Sequence, residues 1–280
     1  MNIESAIAEG INILKSKHIQ TAKLDTEILM AKAIGEDRKY IILNDNKNLK
    51  KESLEYFQRL IKERSTRKPI AYLINKKYFW KSEFFVTRDT LIPRPDTELL
   101  IEQILKITNH QNQMNILDVG VGSGCILLSV LKERKNFYGT GIDVSKNCLN
   151  ICKINAKELK VDKRVRFYKS DVDKFAQGKY DLIVSNPPYI NQNDLKYLER
   201  DVVNFEPKIA LNGGLDGLSE IRKVIKKSSE LIKKKGKFIL EIGFDQKIKV
   251  SNLLKKKGFY INNVLKDLAK NDRCIVSTKI

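Results

Sequence analysis

Residues 117–124 read LDVGVGSG and contain three glycines spaced two apart, Gly120, Gly122 and Gly124. The apolar residues before them predict a strand, and the residues after them predict a helix, Cys125–Arg134. A strand that ends in a glycine-rich turn and opens a helix is typical of a parallel α/β sheet. Glycines at such a turn let the backbone approach a ligand closely. The stretch therefore predicts both a fold class and a ligand-binding loop.

Strand and helix patterns alternate on both sides of this loop, from residue 94 to residue 280. The predicted strands are MNILDVG, FYGTGIDV, VRFYKSDV, YDLIVSNPPY and GKFILEIG. The predicted helices cover Glu98–Ile107, Cys125–Arg134, Ser145–Lys160, Leu218–Lys234 and Gln246–Lys257. Two final segments, FYINNVLKD and RCIVSTKI, are predicted to close the sheet as an antiparallel pair. This alternation predicts a doubly wound, Rossmann-like α/β sheet.

In the first third of the chain the apolar residues follow a different spacing. Residues 1–75 place apolar side chains three and four apart, which predicts a small all-helical domain. Residues 76–93 contain YFWKSEFFV, an aromatic run with a polar break, which predicts a β-hairpin linker. We therefore expect three parts: the helical domain 1–75, the hairpin linker 76–93 and the sheet domain 94–280.

Composition narrows the classes of partner. Of the 280 residues 42% are hydrophobic, yet they form no run of about 18 apolar residues, so no membrane-spanning helix is expected. The net charge of +19 favours a nucleic-acid partner at first sight. Lysine-rich helices over Arg222–Lys237 and Lys247–Lys257 carry much of that charge, and solvated surfaces explain them more simply. No direct contact with nucleic acid or membrane is therefore expected.

Four cysteines are present, and no histidine lies near them in the sequence. Cys148 and Cys152 lie four residues apart on a predicted helix, while His18 and His110 are distant. This spacing favours buried thiols in a reducing compartment over a metal site. We expect no metal, a cytoplasmic location and, since no pattern predicts an interface, a monomer.

An acid follows the glycine loop at a distance that is typical of nucleoside binding. Asp143 ends the second predicted strand, 23 residues after Gly120, where dinucleotide folds place the carboxylate that binds ribose hydroxyls. The spacing departs from G-x-G-x-x-G, with Cys125 in place of the third glycine, and the P-loop Lys-Ser/Thr pair is missing. Both departures argue against NAD and ATP and favour S-adenosylmethionine, a nucleoside without phosphates. A second interpretation is that Asp143 caps a helix and the glycines only form a turn.

The fourth strand leaves the sheet through SNPPYI, residues 185–190. Proline cannot donate to a sheet ladder, but it keeps its carbonyl oxygen as an acceptor. The Asn186 side chain adds a second oxygen, so the corner offers two acceptors beside the ring of Tyr189. A planar –NH2 group matches this arrangement, because both of its protons can be bound while the nitrogen faces a methyl donor. A motif that merely terminates the strand is the alternative interpretation.

Several motifs stand in one order along the chain: LIPRPDTE, LDVGVGSG, SNPPYI, FEPKIALNGGLDGL and EIGFDQ. The N-terminal LDTEILMAKAIGEDR and RKPIAYLI precede them. In sequence and spacing the set resembles the glutamine methyltransferases that modify peptide chain release factors, the PrmC/HemK family. The resemblance covers nearly the whole chain, whereas NPPY alone is shared with adenine methyltransferases.

The resemblance implies methyl transfer from S-adenosyl-L-methionine to the side-chain amide nitrogen (N5) of the glutamine in the Gly-Gly-Gln loop of class 1 release factors, which supports translation termination. It implies cofactor binding by Gly120, Val121, Gly122, Ser123, Gly124, Asp143, Val172 and Asn186. It implies that the glutamine amide is held by a corner in which Asn186, Pro187 and Tyr189 are catalytic and Pro188 also contacts substrate. The helical domain and the hairpin would then dock the release factor.

Three questions stay open on the sequence alone. An adenine N6-methyltransferase acting on DNA or RNA would use the same acceptor pair, although no insertion for reading a nucleic-acid target is present. A binding module with a degenerate cofactor site is disfavoured by the intact GVGSG, Asp143 and NPPY. The segment FEPKIALNGGLDGL, residues 205–218, is equally consistent with a lid and with a rigid connection.

Overall fold

The computed structural model describes residues 1–280, and the chain folds as two units. One unit consists of residues 1–76 and 199–205, and the other of residues 77–198 and 206–280. The first is helical and the second is built on a seven-stranded sheet. No helix in either unit combines the length and the apolar character needed to cross a bilayer.

The helical unit contains α1 (Ile3–Ser16), α2 (Ala22–Ile34), α3 (Arg38–Leu43), α4 (Lys51–Ser65) and α5 (Ile70–Ile74). Sequence determines several of the helix ends. Asn2 accepts the Ser5 N–H at 2.9 Å to cap α1, and Gly35 ends α2 in the left-handed conformation at φ 76°. One face of each longer helix is buried in a shared apolar core.

A buried arginine joins residues 199–205 to this helical unit. Arg64 Nε lies 2.7 Å from an Asp25 carboxylate oxygen, and Arg64 Nη1 lies 2.9 Å from Asp201. Because the Arg64 side chain is only 8% exposed, both carboxylates balance a charge that water cannot reach. The domain bounds predicted from the sequence place residues 199–205 in the sheet domain 94–280. The structure instead groups these residues with the helical unit. A pairing across 137 residues leaves no local sequence pattern.

The sheet of the second unit has the order β5-β4-β3-β6-β7-β9-β8. Its strands are β3 (Asn115–Val119), β4 (Tyr138–Asp143), β5 (Val165–Lys169), β6 (Tyr180–Ser185), β7 (Ile232–Glu241), β8 (Phe259–Lys266) and β9 (Asp272–Lys279). The first five strands of that order run parallel, and β9 pairs antiparallel with both β7 and β8. This confirms the doubly wound sheet and its closing antiparallel pair.

The helices of this unit are α6 (Glu98–Ile107), α7 (Cys125–Glu133), α8 (Lys146–Glu158), α10 (Ser219–Leu231) and α11 (Lys247–Lys256). The short helix α9 (Arg200–Phe205) lies in the segment that joins the helical unit. Helices on both faces bury the central strands, and β3 and β6 are accordingly buried along almost their whole length. Strand β3 lies between β4 and β6, at the point where the strand order reverses, and ligands bind at the carboxyl ends of such strands.

The hairpin consists of β1 (Lys76–Phe79) and β2 (Ser82–Phe85). Hydrogen bonds fix it to the sheet unit. The Trp80 indole donates to Glu133 in α7 at 2.9 Å, and Asn155 in α8 exchanges two bonds with the Phe85 backbone. The same Asn155 amide donates to the Ser123 carbonyl at 2.8 Å, so one buried side chain joins the hairpin to the glycine loop.

The largest difference between a predicted and an observed helix boundary lies at the end of α10. The helix predicted over Leu218–Lys234 ends at Leu231, and β7 begins at the next residue. Ile232 pairs with Tyr180 of β6, and a register shift follows before Lys237 pairs with Leu182. The lysine-rich run between them has a helical propensity that the sheet pairing overrides.

Candidate active site

The glycine loop leaves the carboxyl end of β3 with open space above it. Gly120 has φ 77° and Gly122 has φ 55°. A Cβ built on Gly120 would meet no atom within 4 Å, and one on Gly122 would meet only the Gly120 carbonyl oxygen at 4.0 Å. The Gly120 and Val121 N–H groups donate to the Ile142 carbonyl at 2.9 and 3.0 Å, which fixes the loop on β4. The loop is thus rigid at its base and accessible at its tip.

Asp143 joins the two strand ends at this edge. Its Oδ2 accepts the Gly122 N–H at 3.0 Å, and its Oδ1 accepts the Ser145 N–H at 2.9 Å. Burial raises the pKa of Asp143 above its ordinary value, although these backbone donors favour the ionised form. The side chain that caps α8 is Ser145, which accepts the Cys148 N–H. Asp143 is therefore not the helix cap of the alternative interpretation.

A cavity of about 450 Å³ opens at this edge of the sheet. Most of the predicted site residues border it: Gly120, Gly122, Asp143, Val172, Asn186, Pro187 and Pro188. The residues of the 207–212 segment and of the start of α10 form the facing wall. The structure therefore brings the glycine loop, the acid and the NPPY corner to one cavity.

Four predicted site residues do not border this cavity: Val121, Ser123, Gly124 and Tyr189. The side chain of Val121 points into the core, where it approaches the position of a Cβ on Gly141 to 2.9 Å. The Ser123 carbonyl accepts from Asn155, and Gly124 precedes α7 with Cys152 Sγ 2.5 Å from its would-be Cβ. These three residues shape the loop from behind.

Tyr189 points away from the cavity into a polar cluster. Its hydroxyl lies 3.4 Å from Glu241 Oε1 and 3.4 Å from Arg273 Nη1. Burial, together with the Glu241 charge, raises the pKa of Tyr189 above its usual range. The hydroxyl is therefore a neutral donor to Glu241, and the ring packs against the apolar core of the sheet unit.

The Asn186 side chain is held by its nitrogen. Asn186 Nδ2 donates to Thr97 Oγ1 at 3.1 Å, and Thr97 Oγ1 donates to Glu241 Oε2 at 2.8 Å. The Asn186 oxygen accepts none of the hydrogen bonds of the structure, and the residue borders the cavity. This leaves that oxygen as an acceptor for a ligand.

Hydrogen bonds join the segment over residues 205–218 to the chain that follows the NPPY corner. The Ile190 N–H donates to the Leu211 carbonyl, and the Gly213 N–H donates to the Ile190 carbonyl at 2.8 Å. Gln246 Nε2 adds bonds to the carbonyls of Tyr189 and Gly217 at 3.0 and 3.1 Å. These bonds connect the segment to Tyr189 and Ile190 at the end of the NPPY corner.

Sequence reasoning missed Thr97, Glu241 and Gln246 as members of the site. Thr97 belongs to LIPRPDTE, which the local pattern predicts only as a linker, and the other two belong to EIGFDQ. One sequence signal could have identified Glu241: it lies at the carboxyl end of a predicted parallel strand, where ligand-binding side chains are common. Hydrogen bonds across 89 and 144 residues link Thr97 to Asn186 and to Glu241 in the folded structure.

The residues at the cavity fit S-adenosylmethionine, which carries a sulfonium and an ammonium group. Four carboxylates border the cavity, from Asp89, Asp143, Asp171 and Glu220, against two lysines, Lys208 and Lys223. In a chain of net charge +19, this acidic lining favours a cationic ligand over nucleic-acid phosphates. The open glycine loop and the ribose-binding position of Asp143 agree with a nucleoside.

Behind the loop, Asp118 is 1% exposed, and neither of its oxygens has a hydrogen-bond partner of normal geometry. Burial raises the pKa of Asp118 to about 7, although the nearby Leu127 backbone N–H opposes the shift. Asp118 does not border the cavity, so it is a buried acid without a hydrogen-bond partner behind the loop.

Two family models match the chain. The PrmC N-terminal domain matches residues 5–74, and the methyltransferase small domain matches residues 95–205. Among solved structures, a methyltransferase from Pyrococcus furiosus is similar with a TM-score of 0.55 and 16% identity, over 79% of this chain and 97% of that chain. A ribosomal protein L11 methylase from Lactobacillus delbrueckii subsp. bulgaricus gives a TM-score of 0.50 and 18% identity, over 67% and 81%. These two likenesses confirm the methyltransferase fold.

Relatives match over the full length. The release factor glutamine methyltransferase of Buchnera aphidicola subsp. Acyrthosiphon pisum is 39% identical over 100% of this chain and 99% of its own length. That of Clostridium acetobutylicum is 34% identical over 100% of this chain and 99% of its own length. The chain therefore belongs to the release factor glutamine methyltransferase family.

Proposed function

We propose that this chain transfers one methyl group from S-adenosylmethionine to the side-chain amide nitrogen (N5) of the glutamine in the Gly-Gly-Gln loop of class 1 release factors. Family membership supports the substrate class. The carrying observation is the Asn186 carboxamide, which is fixed through its nitrogen and borders the acidic cavity with its oxygen unpaired.

The reaction needs an amide nitrogen to act as a nucleophile. Its lone pair is delocalised into the carbonyl group, so the free amide is unreactive. The Asn186 oxygen and the Pro187 carbonyl are the acceptors that would bind its two N–H groups and hold the nitrogen in one orientation. These fixed dipoles also stabilise the positive charge that develops on the nitrogen. S-adenosylmethionine would supply the electrophilic methyl group when bound and leave as S-adenosylhomocysteine, and the methylated nitrogen would release one of its two protons to solvent.

Residues of the sheet unit would bind the cofactor and limit the product. Asp143 would accept the ribose hydroxyls, the glycine loop would lie against the nucleoside, and Val172 would line the adenine. A methylated amide has only one N–H left and no longer satisfies both acceptors. We therefore infer that transfer stops after one methyl group, and a dimethylated main product in a mass spectrum would contradict this.

The other parts of the chain would serve docking. We infer that residues 1–75 and the hairpin 76–93 bind the release factor, while residues 94–280 hold the chemistry. The acidic lining of the cavity argues against a nucleic-acid substrate, whose phosphates it would repel. We also infer a monomer in the cytoplasm, and the four free cysteines support a reducing compartment.

One experiment tests the assignment against the adenine methyltransferase alternative. The protein is incubated with methyl-labelled S-adenosylmethionine and either a class 1 release factor or duplex DNA. Label should enter only the release factor, in the peptide that contains Gly-Gly-Gln. A release factor with that glutamine changed to asparagine is the matched control and should stay unlabelled. Label in the DNA alone would refute the proposal.

A further inference from the structure

Two buried residues hold the NPPY corner from behind without bordering the cavity. Glu241 and Thr97 are each 2% exposed, and they form the hydrogen-bonded chain that ends on Asn186. They come from separate elements. Glu241 ends β7, and Thr97 lies in the 3-10 turn Pro95–Thr97 just before α6. The chain of bonds is therefore a tertiary arrangement that both elements must maintain.

Sheet register places Glu241 where it can act on the corner. Strands β6 and β7 are parallel neighbours, with Ser185 paired to Leu240. One residue further on, Asn186 and Glu241 leave the two strands side by side at the same edge. Thr97 fills the gap between them, 3.1 Å from the Asn186 nitrogen and 2.8 Å from the Glu241 oxygen.

The charge of Glu241 gives this chain of bonds a direction. An ionised carboxylate only accepts hydrogen bonds, so the Thr97 hydroxyl has to donate its proton to Glu241. Thr97 Oγ1 is then left with lone pairs alone, and it can bond only the –NH2 side of the Asn186 carboxamide. The Asn186 oxygen must consequently face away from Thr97, and the residue borders the cavity.

Burial and a nearby charge act on Glu241 in opposite directions. Burial raises the pKa of Glu241 above its ordinary value, and the charge of Arg273 opposes that shift and favours the ionised form. Arg273 is itself held by Asp267 at 3.0 Å and by the Ile242 carbonyl at 3.2 Å. Glu241 also accepts from Tyr189, so one carboxylate contacts two residues of the support for the corner.

We propose that Thr97 and Glu241 are positioning residues for methyl transfer, which fix the Asn186 carboxamide with its oxygen toward the substrate amide. The proposal rests on the proposed function. Neither residue touches the reacting atoms, and both act through the orientation of Asn186. If the carboxamide rotates, an –NH2 group faces the –NH2 of the substrate, and a donor meets a donor.

Isosteric variants separate orientation from packing. Thr97→Val removes the hydroxyl but keeps the shape, and Thr97→Ser keeps the hydroxyl. Glu241→Gln keeps the shape but can donate to Thr97, which frees the Thr97 hydroxyl to bond the Asn186 oxygen and stabilises the wrong rotation. We expect Thr97→Val and Glu241→Gln to lower kcat by roughly 10- to 100-fold with little change in KM for S-adenosylmethionine. Thr97→Ser should recover kcat to within about threefold of the unaltered enzyme.

Thr108→Val is the matched control for the loss of a buried threonine hydroxyl. Thr108 is 1% exposed in the same unit, and its hydroxyl donates to the Ile104 carbonyl at 2.7 Å, away from the cavity. This variant should lose stability without losing kcat. An equal loss of kcat in Thr108→Val and Thr97→Val would assign the effect to packing and overturn the proposal.

A second readout needs no turnover. With asparagine labelled by nitrogen-15, Asn186→Ala identifies the Asn186 carboxamide signal in the nuclear magnetic resonance spectrum. That signal should shift and broaden in Thr97→Val and Glu241→Gln, and it should return in Thr97→Ser. An unchanged signal in Thr97→Val would overturn the positioning role. If the unaltered enzyme labels no release factor, the proposed function fails while the spectrum still decides the orientation of Asn186.

Discussion

Asp143 and Gly122 meet at 3.0 Å across the carboxyl ends of β4 and β3, with the carboxylate accepting the backbone N–H of the glycine loop. The loop therefore does not hold its shape alone. The acid that follows it by 21 residues fixes its tip and faces the same cavity. One side chain thus fixes the tip of the loop and borders the cavity that we propose binds the nucleoside.

Asp143→Ala should lower the affinity of the protein for its cofactor. The variant loses an acceptor for ribose hydroxyls and also releases the Gly122 and Ser145 N–H groups. Loss of two or more hydrogen bonds to a charged group predicts a fall in affinity of roughly 100-fold or more. Titration calorimetry with S-adenosylhomocysteine measures it directly.

Asp181→Ala is the control for Asp143→Ala. Asp181 likewise accepts a backbone N–H, that of Asn115 at 2.9 Å, but it lies at the start of β6 and so at the opposite edge of the sheet. Its removal should leave the affinity unchanged. Equal affinity in Asp143→Ala and the unaltered enzyme would remove Asp143 from the cofactor site.

Asn186→Ala should abolish transfer and leave the fold intact. Removal of one fixed dipole from a catalytic site lowers kcat by roughly 100- to 1000-fold. Single-turnover transfer to a release factor gives the rate, and thermal unfolding followed by circular dichroism tests the fold. Asn193→Ala, an exposed asparagine in the following segment, should behave as the unaltered enzyme. Retained turnover in Asn186→Ala would refute its role.

Sequence periodicity predicted the strands and helices of the sheet unit because each of them depends on a local pattern. Apolar runs, the glycine turn and the closing pair β8–β9 are each visible within about ten residues. The support of the site is not local, since Thr97, Glu241 and Gln246 join the NPPY corner through pairings that only the folded sheet creates. The α10–β7 boundary failed for the same reason, because the pairing of Ile232 with Tyr180 outweighs the helical propensity of the lysines around it.

Gly217→Ala should destabilise the protein and slow transfer together. Gly217 has φ 71°, and a Cβ there would lie 2.6 Å from the Tyr189 carbonyl oxygen and 2.8 Å from Gln246 Nε2. A left-handed alanine alone costs about 1 to 2 kcal/mol, and the clash would also move the backbone of the NPPY corner. Urea unfolding gives the loss of stability, and methyl transfer gives the loss of rate.

Gly35→Ala separates these two effects of Gly217→Ala. Gly35 has φ 76°, and a Cβ there would meet nothing within 4 Å. This variant should therefore show the conformational cost without a change in kcat. A Gly217→Ala variant that is no slower than Gly35→Ala would show that the contact with Tyr189 does not position the corner.

Asp118→Asn should flatten the pH dependence of stability. The pKa of Asp118 is about 7 in the fold, against 3.8 as its ordinary value. The folded protein therefore holds this proton more tightly, and stability falls as pH rises from about 4 to about 7. The uncharged variant escapes that loss, by up to about 4 kcal/mol above pH 7. Equal slopes of unfolding free energy against pH in the two proteins would show that Asp118 is not an unpaired buried acid.

Methyl transfer should lose kcat as pH falls through about 7, and Glu241→Gln should remove that dependence. Burial raises the pKa of Glu241 to about 7, with Arg273, Thr97 and Tyr189 opposing the shift and Asp96 adding to it. Cys125 and Cys274 also lie near this carboxylate, but burial raises the pKa of Cys125 to about 12 and that of Cys274 above its usual range, so both stay neutral.

The sign follows from the direction of the hydrogen bonds. Below pH 7 the protonated Glu241 can donate to Thr97, the Thr97 hydroxyl can then bond the Asn186 oxygen, and the carboxamide loses its fixed orientation. Neither of the two histidines of the chain borders the cavity, so no imidazole supplies a competing titration there. The pH profile of kcat under saturating cofactor measures the effect. Glu241→Gln should be slow at every pH between 6 and 8, whereas a profile that keeps its acid limb in this variant would assign the limb to another group.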